Sequence, residues 1–179
     1  MAGLTRRDLL TFWRRPPQPA PPRAVLRPPG ALPEAEFLDV CQRCGRCAEA
    51  CPRQAILPMP EGPRQGTPFI LARQAPCVVC AGLECTHVCP SGALKPLPVN
   101  DPRQIRMGTA EVQAATCVAY AGQDCQACID SCPIPGAIEL KIQRGLAVPA
   151  VEAAVCIGCG LCEHYCPTEP ASIRVRPAR

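Results

Sequence analysis

Sixteen cysteines fall into four quartets, and each quartet ends in Cys-Pro. Cys41, Cys44, Cys47 and Cys51 have the spacing C-x2-C-x2-C-x3-C before Pro52. Cys77, Cys80, Cys85 and Cys89 read C-x2-C-x4-C-x3-C before Pro90, and Cys117, Cys125, Cys128 and Cys132 read C-x7-C-x2-C-x3-C before Pro133. Cys156, Cys159, Cys162 and Cys166 return to the first spacing, before Pro167, and no cysteine is left over. The rest of the chain offers little to pack: 179 residues hold six aromatics and 24 prolines. Aromatic side chains carry much of the buried area of ordinary cores, so something else must offset the entropy of ordering the chain. Metal ligation contributes folding free energy directly.

Three chemistries compete for such quartets. A disulfide scaffold needs an even count but not four repeats of one spacing, and it belongs to oxidising compartments. Structural zinc favours two C-x2-C pairs separated by a longer knuckle, whereas here three cysteines crowd into seven residues. The run C-x2-C-x2-C-x3-C-P is the bacterial ferredoxin pattern for 4Fe–4S clusters. Its logic is geometric: three close thiolates meet one cluster, and the fourth, beyond a short helical turn, reaches another. The proline lacks an N–H and turns the chain away. Four 4Fe–4S clusters, with the sixteen cysteines as iron ligands, are therefore expected.

The intervening residues agree. Gly45, Gly158 and Gly160 stand inside the loops, where the absence of a Cβ lets backbone amides approach sulfur and tune the potential. Short apolar runs follow the quartets at Ala55–Leu57, Gly92–Leu94, Gly136–Ile138 and Ala171–Ile173, each reading as a short strand. Ile138–Cys156 reads as strand, Arg144-Gly145 turn, strand and next loop. The repeat of loop, half-turn of helix and strand predicts an α+β fold: two ferredoxin-like dicluster modules with a small irregular core organised around the clusters. His87 and His164 lie inside quartets that already have four cysteines, so they are read as solvent-facing or supporting side chains. Tyr120 and Tyr165 are read as packing against the loops.

The expected organisation is a basic, proline-rich tail and linker over residues 1–33, a four-cluster body over 34–175, and a short tail over 176–179. Within the body the outer motifs are 41–52 and 156–167, and the inner motifs 77–90 and 117–133. Residues 1–30 carry six arginines against one acid, while the remainder is nearly balanced, with 13 bases and 14 acids. A body without a basic field or interleaved aromatics disfavours nucleic acid. No run of 18 apolar residues is present, so no transmembrane segment is expected. TRRDLL at residues 5–10 resembles a twin-arginine export signal, but TFWRRPPQPAPPRAV follows it in place of an apolar h-region. The expected location is cytoplasmic, at the membrane surface or free, with periplasmic export by an atypical signal as the alternative. Leu9, Leu10 and Trp13 share one side of a short helical segment, so the tail reads as a docking arm for a partner or membrane surface or, equally, as a disordered, solvated tail.

The block RPPGALPEAEFLDVCQRCGRCAEACP at 27–52 resembles the ferredoxin-type family that includes NapG, of periplasmic nitrate reduction, and MauM, of methylamine utilisation. GTPF (66–69), CVVCAGLECTHVCPSGAL (77–94), RMG (106–108) and CIGCGLCEHYCP (156–167) fit the same group. The tail is more similar to the related cytoplasmic protein NapF. The resemblance implies electron transfer around a molybdenum-containing reductase, with that reductase or a membrane quinol dehydrogenase as redox partner. Spacing alone leaves cluster pairing open, sequential pairing being the simplest. The two regular outer quartets flanking two stretched inner ones also resemble the four-cluster subunits of molybdenum oxidoreductases. That likeness implies outer–outer and inner–inner pairing: Cys166 with Cys41, Cys44 and Cys47; Cys51 with Cys156, Cys159 and Cys162; Cys132 with Cys77, Cys80 and Cys85; Cys89 with Cys117, Cys125 and Cys128.

Coordinatively full iron leaves no open position for a substrate, and no separate C-x3-C-x2-C triplet of a radical enzyme is present. The expected function is single-electron relay by a carrier, not catalysis. The alternative is a cytoplasmic maturation factor that binds a reductase subunit and assists its cluster insertion before export.

Overall fold

The computed structural model describes residues 25–97 and 101–178. The docking arm expected in the tail lies outside the described residues. Two halves of the chain repeat one arrangement: a leading segment, a cysteine loop, a four-residue helix, a hairpin, a second cysteine loop, a second such helix, and a closing segment that returns to pair with the leading one.

In the N-terminal half the leading segment is proline-rich, and Pro28 and Pro29 are fully buried. Ala31 bridges Leu94 in antiparallel fashion, and amides on either side add Leu32 N to Ala93 O at 3.1 Å and Lys95 N to Gly30 O at 2.8 Å. Gly30 makes this closure possible: its φ is +74°, and a Cβ there would stand 2.2 Å from the Lys95 carbonyl oxygen. Helix α1 (Glu34–Val40) follows Pro33 and carries Glu34 and Glu36 in its first turn, the end where negative charge is favourable. It buries Phe37 completely. After the first cysteine loop come α2 (Arg46–Glu49), then the hairpin of β1 (Ile56–Pro58) and β2 (Pro68–Ile70), then α3 (Glu84–His87) in the second loop.

A short 3-10 turn, Pro102–Gln104, capped by the Asp101 carboxylate, opens the C-terminal half. There β3 (Gly108–Val112) leads, α4 (Ala127–Asp130) follows the third cysteine loop, and β4 (Ile138–Gln143) and β5 (Leu146–Val151) form the hairpin. Its turn has Arg144 at φ 52° and Gly145 at φ 79°, the two positive values of a type I′ connection. α5 (Leu161–His164) and β6 (Ile173–Pro177) complete the chain, and β6 pairs with β3 from Gly108 opposite Pro177 to Val112 opposite Ile173.

Helices of four residues have no stability of their own in water. In α2 to α5 the second residue is a buried cysteine: Cys47, Cys85, Cys128 and Cys162. Seven of the sixteen cysteines are buried, and the other large buried side chains are mostly aliphatic, such as Leu94, Ile105, Ile157 and Val148.

The expected boundaries at 33/34 and 175/176 both fall inside packed structure. Arg27 is buried, its guanidinium 4.5 Å from the Phe37 ring centroid. It donates to both carboxylate oxygens of Glu34 at 2.9 and 2.7 Å, to Thr67 Oγ1 at 2.9 Å and to the Pro68 carbonyl at 2.7 Å. Arg64 shares the same carboxylate at 2.9 Å. The prolines that read as linker from residue 28 onward are part of the core because Arg27 anchors them to β2. At the other end, β6 runs to Pro177.

Candidate metal centres

Four apolar cavities are each lined by four cysteines. Cys41, Cys44, Cys47 and Cys89 surround the first, with Phe37 and Leu94 behind them. Cys77, Cys80, Cys85 and Cys51 surround the second. Cys117, Cys125, Cys128 and Cys166 surround the third. Cys156, Cys159, Cys162 and Cys132 surround the fourth. Three sulfurs of each set come from one loop, and the fourth crosses from the other loop of the same half.

This arrangement overturns the outer–inner pairing. Cys51 stands with Cys77 rather than Cys156, and Cys89 with Cys41 rather than Cys117. Likewise Cys166 stands with Cys117 rather than Cys41, and Cys132 with Cys156 rather than Cys77. The physical reason is the closure of each half on itself. Leading and closing segments pair within a half, so α2 packs on α3 and α4 on α5, and each fourth cysteine faces its neighbouring loop.

The crossing cysteines accept backbone hydrogen bonds. Ala55 N donates to Cys51 Sγ at 3.4 Å, Leu94 N to Cys89 Sγ at 3.4 Å, and Ser172 N to Cys166 Sγ at 3.3 Å. In the fourth cavity Ala110 N donates to Cys156 Sγ at 3.4 Å. Such bonds favour the thiolate. At Cys89 and Cys166 burial works the other way, yet the hydrogen bonds outweigh it and both thiols fall below their ordinary value. Elsewhere burial wins. It pushes Cys77 and Cys85 up to about 12, and Cys47, Cys128 and Cys159 up to about 11. Sulfurs this high become thiolates at neutral pH only with positive charge against them, which a metal centre supplies. At Cys80 burial and then the Glu84 carboxylate, 3.2 Å from Sγ, raise the thiol.

The donor set fits an iron–sulfur cluster. All four donors are soft sulfur, and they stand around a volume instead of closing on a point. Among the described residues no three His, Cys, Asp or Glu side chains gather as tightly as a single ion would require. His87 is exposed, and His164 Nδ1 is 2.9 Å from the Arg73 carbonyl oxygen; neither lines any of the four cavities. Tyr165 is exposed and meets the His164 ring edge-on, and Tyr120 is half-buried. Gly158 and Gly160 serve a different approach from the one expected. A Cβ at Gly158 would stand 2.4 Å from Gly108 N, and one at Gly160 2.5 Å from Ala72 Cβ. These glycines admit neighbouring protein segments.

Residues 40–93 match the 4Fe-4S dicluster domain family, and residues 114–139 and 153–169 match a 4Fe-4S binding domain. The methylamine utilization ferredoxin-type protein MauM of Methylobacillus flagellatus is 45% identical over 172 residues, which cover 89% of this chain and 71% of the relative. The chain belongs to the ferredoxin-type family of MauM and NapG. The NapG protein of Escherichia coli is 38% identical over 163 residues, covering 85% of this chain and 70% of the relative. NapF of the same organism is 30% identical over 165 residues, covering 91% and 90%. As a ferredoxin-type protein, the chain binds 4Fe–4S clusters and transfers electrons. This membership favours the carrier over the maturation factor. No helix among the described residues is long and apolar enough to cross a membrane.

Proposed function

We propose that this ferredoxin-type protein is a four-cluster polyferredoxin, built of two dicluster halves, in which all sixteen cysteines ligate iron. The observation that carries the reading is the set of four apolar cavities, each lined by three cysteines of one loop and one of its neighbour. Bound there, a 4Fe–4S cluster accepts and returns one electron at a time. The chain's own residues hold it, exclude water with side chains such as Phe37, Ile56, Ile157 and Ile173, and direct amides at the crossing sulfurs. Anaerobic purification followed by iron and sulfide analysis tests this. Four cubanes require about sixteen irons per chain, and half that number would overturn the reading.

The partners belong to the same proposal. The family resemblance favours a molybdenum-containing reductase, a membrane quinol dehydrogenase, or both as redox partners; the location proposed is the cytoplasm, with the periplasm as the alternative. A second reading is supported by the 45% identity to a protein named for methylamine utilization, which favours a partner in methylamine utilization. Affinity purification of the full chain, from cells grown on nitrate and on methylamine, separates the two. Cell fractionation tests the location.

A further inference from the structure

The two halves meet through contacts that the cysteine spacing does not reveal. The Cys77 amide donates to the Cys159 carbonyl at 3.0 Å. Cys77 lines the second cavity and Cys159 the fourth. Beside this bond Gly160, at φ +87°, lies against Ala72 and Pro76 so closely that any Cβ would collide with Ala72. Arg73 braces the same junction. Its Nη1 donates to the carbonyls of Glu163, His164 and Cys166 at 2.9, 3.0 and 2.8 Å. Its Nη2 donates to the Thr168 carbonyl at 3.2 Å and to Glu169 Oε2 at 2.9 Å. Carbonyls at the end of a helix have no partner within it. Here a guanidinium from the other half satisfies those that follow Cys162 in α5, and holds the peptide of Cys166 as well.

Resting on the ligand assignment above, we propose that Arg73 and Gly160 are positioning residues that seat the second cluster site against the fourth. The four sites then stand in one file, in the order first, second, fourth, third, and electron transfer passes between the halves at the Cys77–Cys159 peptide contact. Tunnelling falls off exponentially with distance and favours bonded and hydrogen-bonded routes. Within each half the crossing cysteines supply such routes; between halves the Cys77–Cys159 bond joins two cysteine peptides directly. One electron crosses, no bond forms or breaks, and no proton moves. One-electron protein donors and acceptors meet the file at its outer sites, the first and the third. Cys44, in the first, is the exposed cysteine of the sixteen.

The test uses the full chain purified without oxygen. Iron positions located by anomalous scattering in crystals should show the shortest separation between halves joining the second and fourth sites. Four sites in any other order would overturn this proposal alone, whereas fewer than four would overturn the ligand assignment and this proposal with it. Arg73→Gln should keep its iron and the magnetic interaction within each half, but lose the interaction between halves in the electron paramagnetic resonance of the fully reduced protein. Arg73→Lys should restore some of it, and it carries the measurement alone if Arg73→Gln fails to hold iron. An unchanged inter-half interaction in Arg73→Gln, or in Arg73→Lys where that variant stands alone, would overturn the role given to Arg73.

Discussion

Cys51 belongs to the first cysteine loop by sequence but shares its cavity with Cys77 of the second. Replacement of Cys51 by alanine should therefore strip the second site and spare the C-terminal half. Iron content should fall by about a quarter, one cubane of four, and spectra of the sites in the C-terminal half should persist. Loss of signal from the site of Cys156 would contradict the cavity geometry.

Removing iron should unfold most of the chain. Among the described residues Phe37 is the one aromatic of the buried hydrophobic side chains, and seven cysteines stand where other proteins place leucine or phenylalanine. Chelation under reducing conditions should collapse the far-ultraviolet circular dichroism along with the visible absorbance. Acid should favour this loss. Burial outweighs the Val79 backbone hydrogen bond and holds thiols such as Cys77, at about 12, in the protonated form, and bound iron opposes it. Lowering the pH therefore works against ligation, and raising it favours uptake, which a pH series of cluster reconstitution measures.

Glu84 places a carboxylate 3.2 Å from Cys80 Sγ. Negative charge beside a site disfavours adding an electron to it. Glu84→Gln should raise the potential of the second site with the other three unchanged, as read by a redox titration followed by electron paramagnetic resonance. The shift should shrink in high salt, because the carboxylate is exposed.

Two glycines with similar φ should respond to very different degrees. Gly30→Ala drives a Cβ into the Lys95 carbonyl and forces a positive φ on alanine, costing at least about 2 kcal/mol. Gly145→Asn, in the hairpin turn with open space around it, should cost only a few tenths of a kcal/mol, since asparagine tolerates this conformation. Thermal melts of the two loaded variants provide the comparison.

Arg27→Gln leaves the Glu34 carboxylate with Arg64 alone and removes the cation from the Phe37 face. Glu34 keeps one cation, so the cost is that of hydrogen bonds to a charged group, about 2 kcal/mol, and a melt of the loaded protein should show a loss of that size. Little change would mean that the leading segment is not anchored through this cluster.

What the sequence disclosed was local. Cysteine spacing marks every thiol that lines a cavity, and Arg144-Gly145 marks a turn whose positive φ values are written in its residue types. The short strands after Cys51, Cys132 and Cys166 appear where the apolar runs stand, and the run after Cys89 supplies the Ala31–Leu94 bridge. Long-range closure left no such mark. Gly108 pairs with Pro177 and Ala31 with Leu94 because whole segments return to one another, and no residue type encodes a partner some sixty positions away. The assignment of Cys51 to Cys156 came from likeness to other four-cluster subunits and failed on that account. Arg73 carried no signal, since an arginine that caps five groups in the other half reads in sequence like any surface arginine.

The pairing of β3 with β6 puts both ends of the C-terminal half at one edge, with Gly108 opposite Pro177. A pull on the two ends loads that ribbon as a zipper, so its hydrogen bonds break in succession instead of sharing the force. That ribbon therefore yields to traction more readily than strands loaded in shear would. An unfolding motor that grips the chain beyond Pro177 peels β6 first and next reaches Ser172, whose amide holds Cys166. The third site is then the first to be dismantled during degradation.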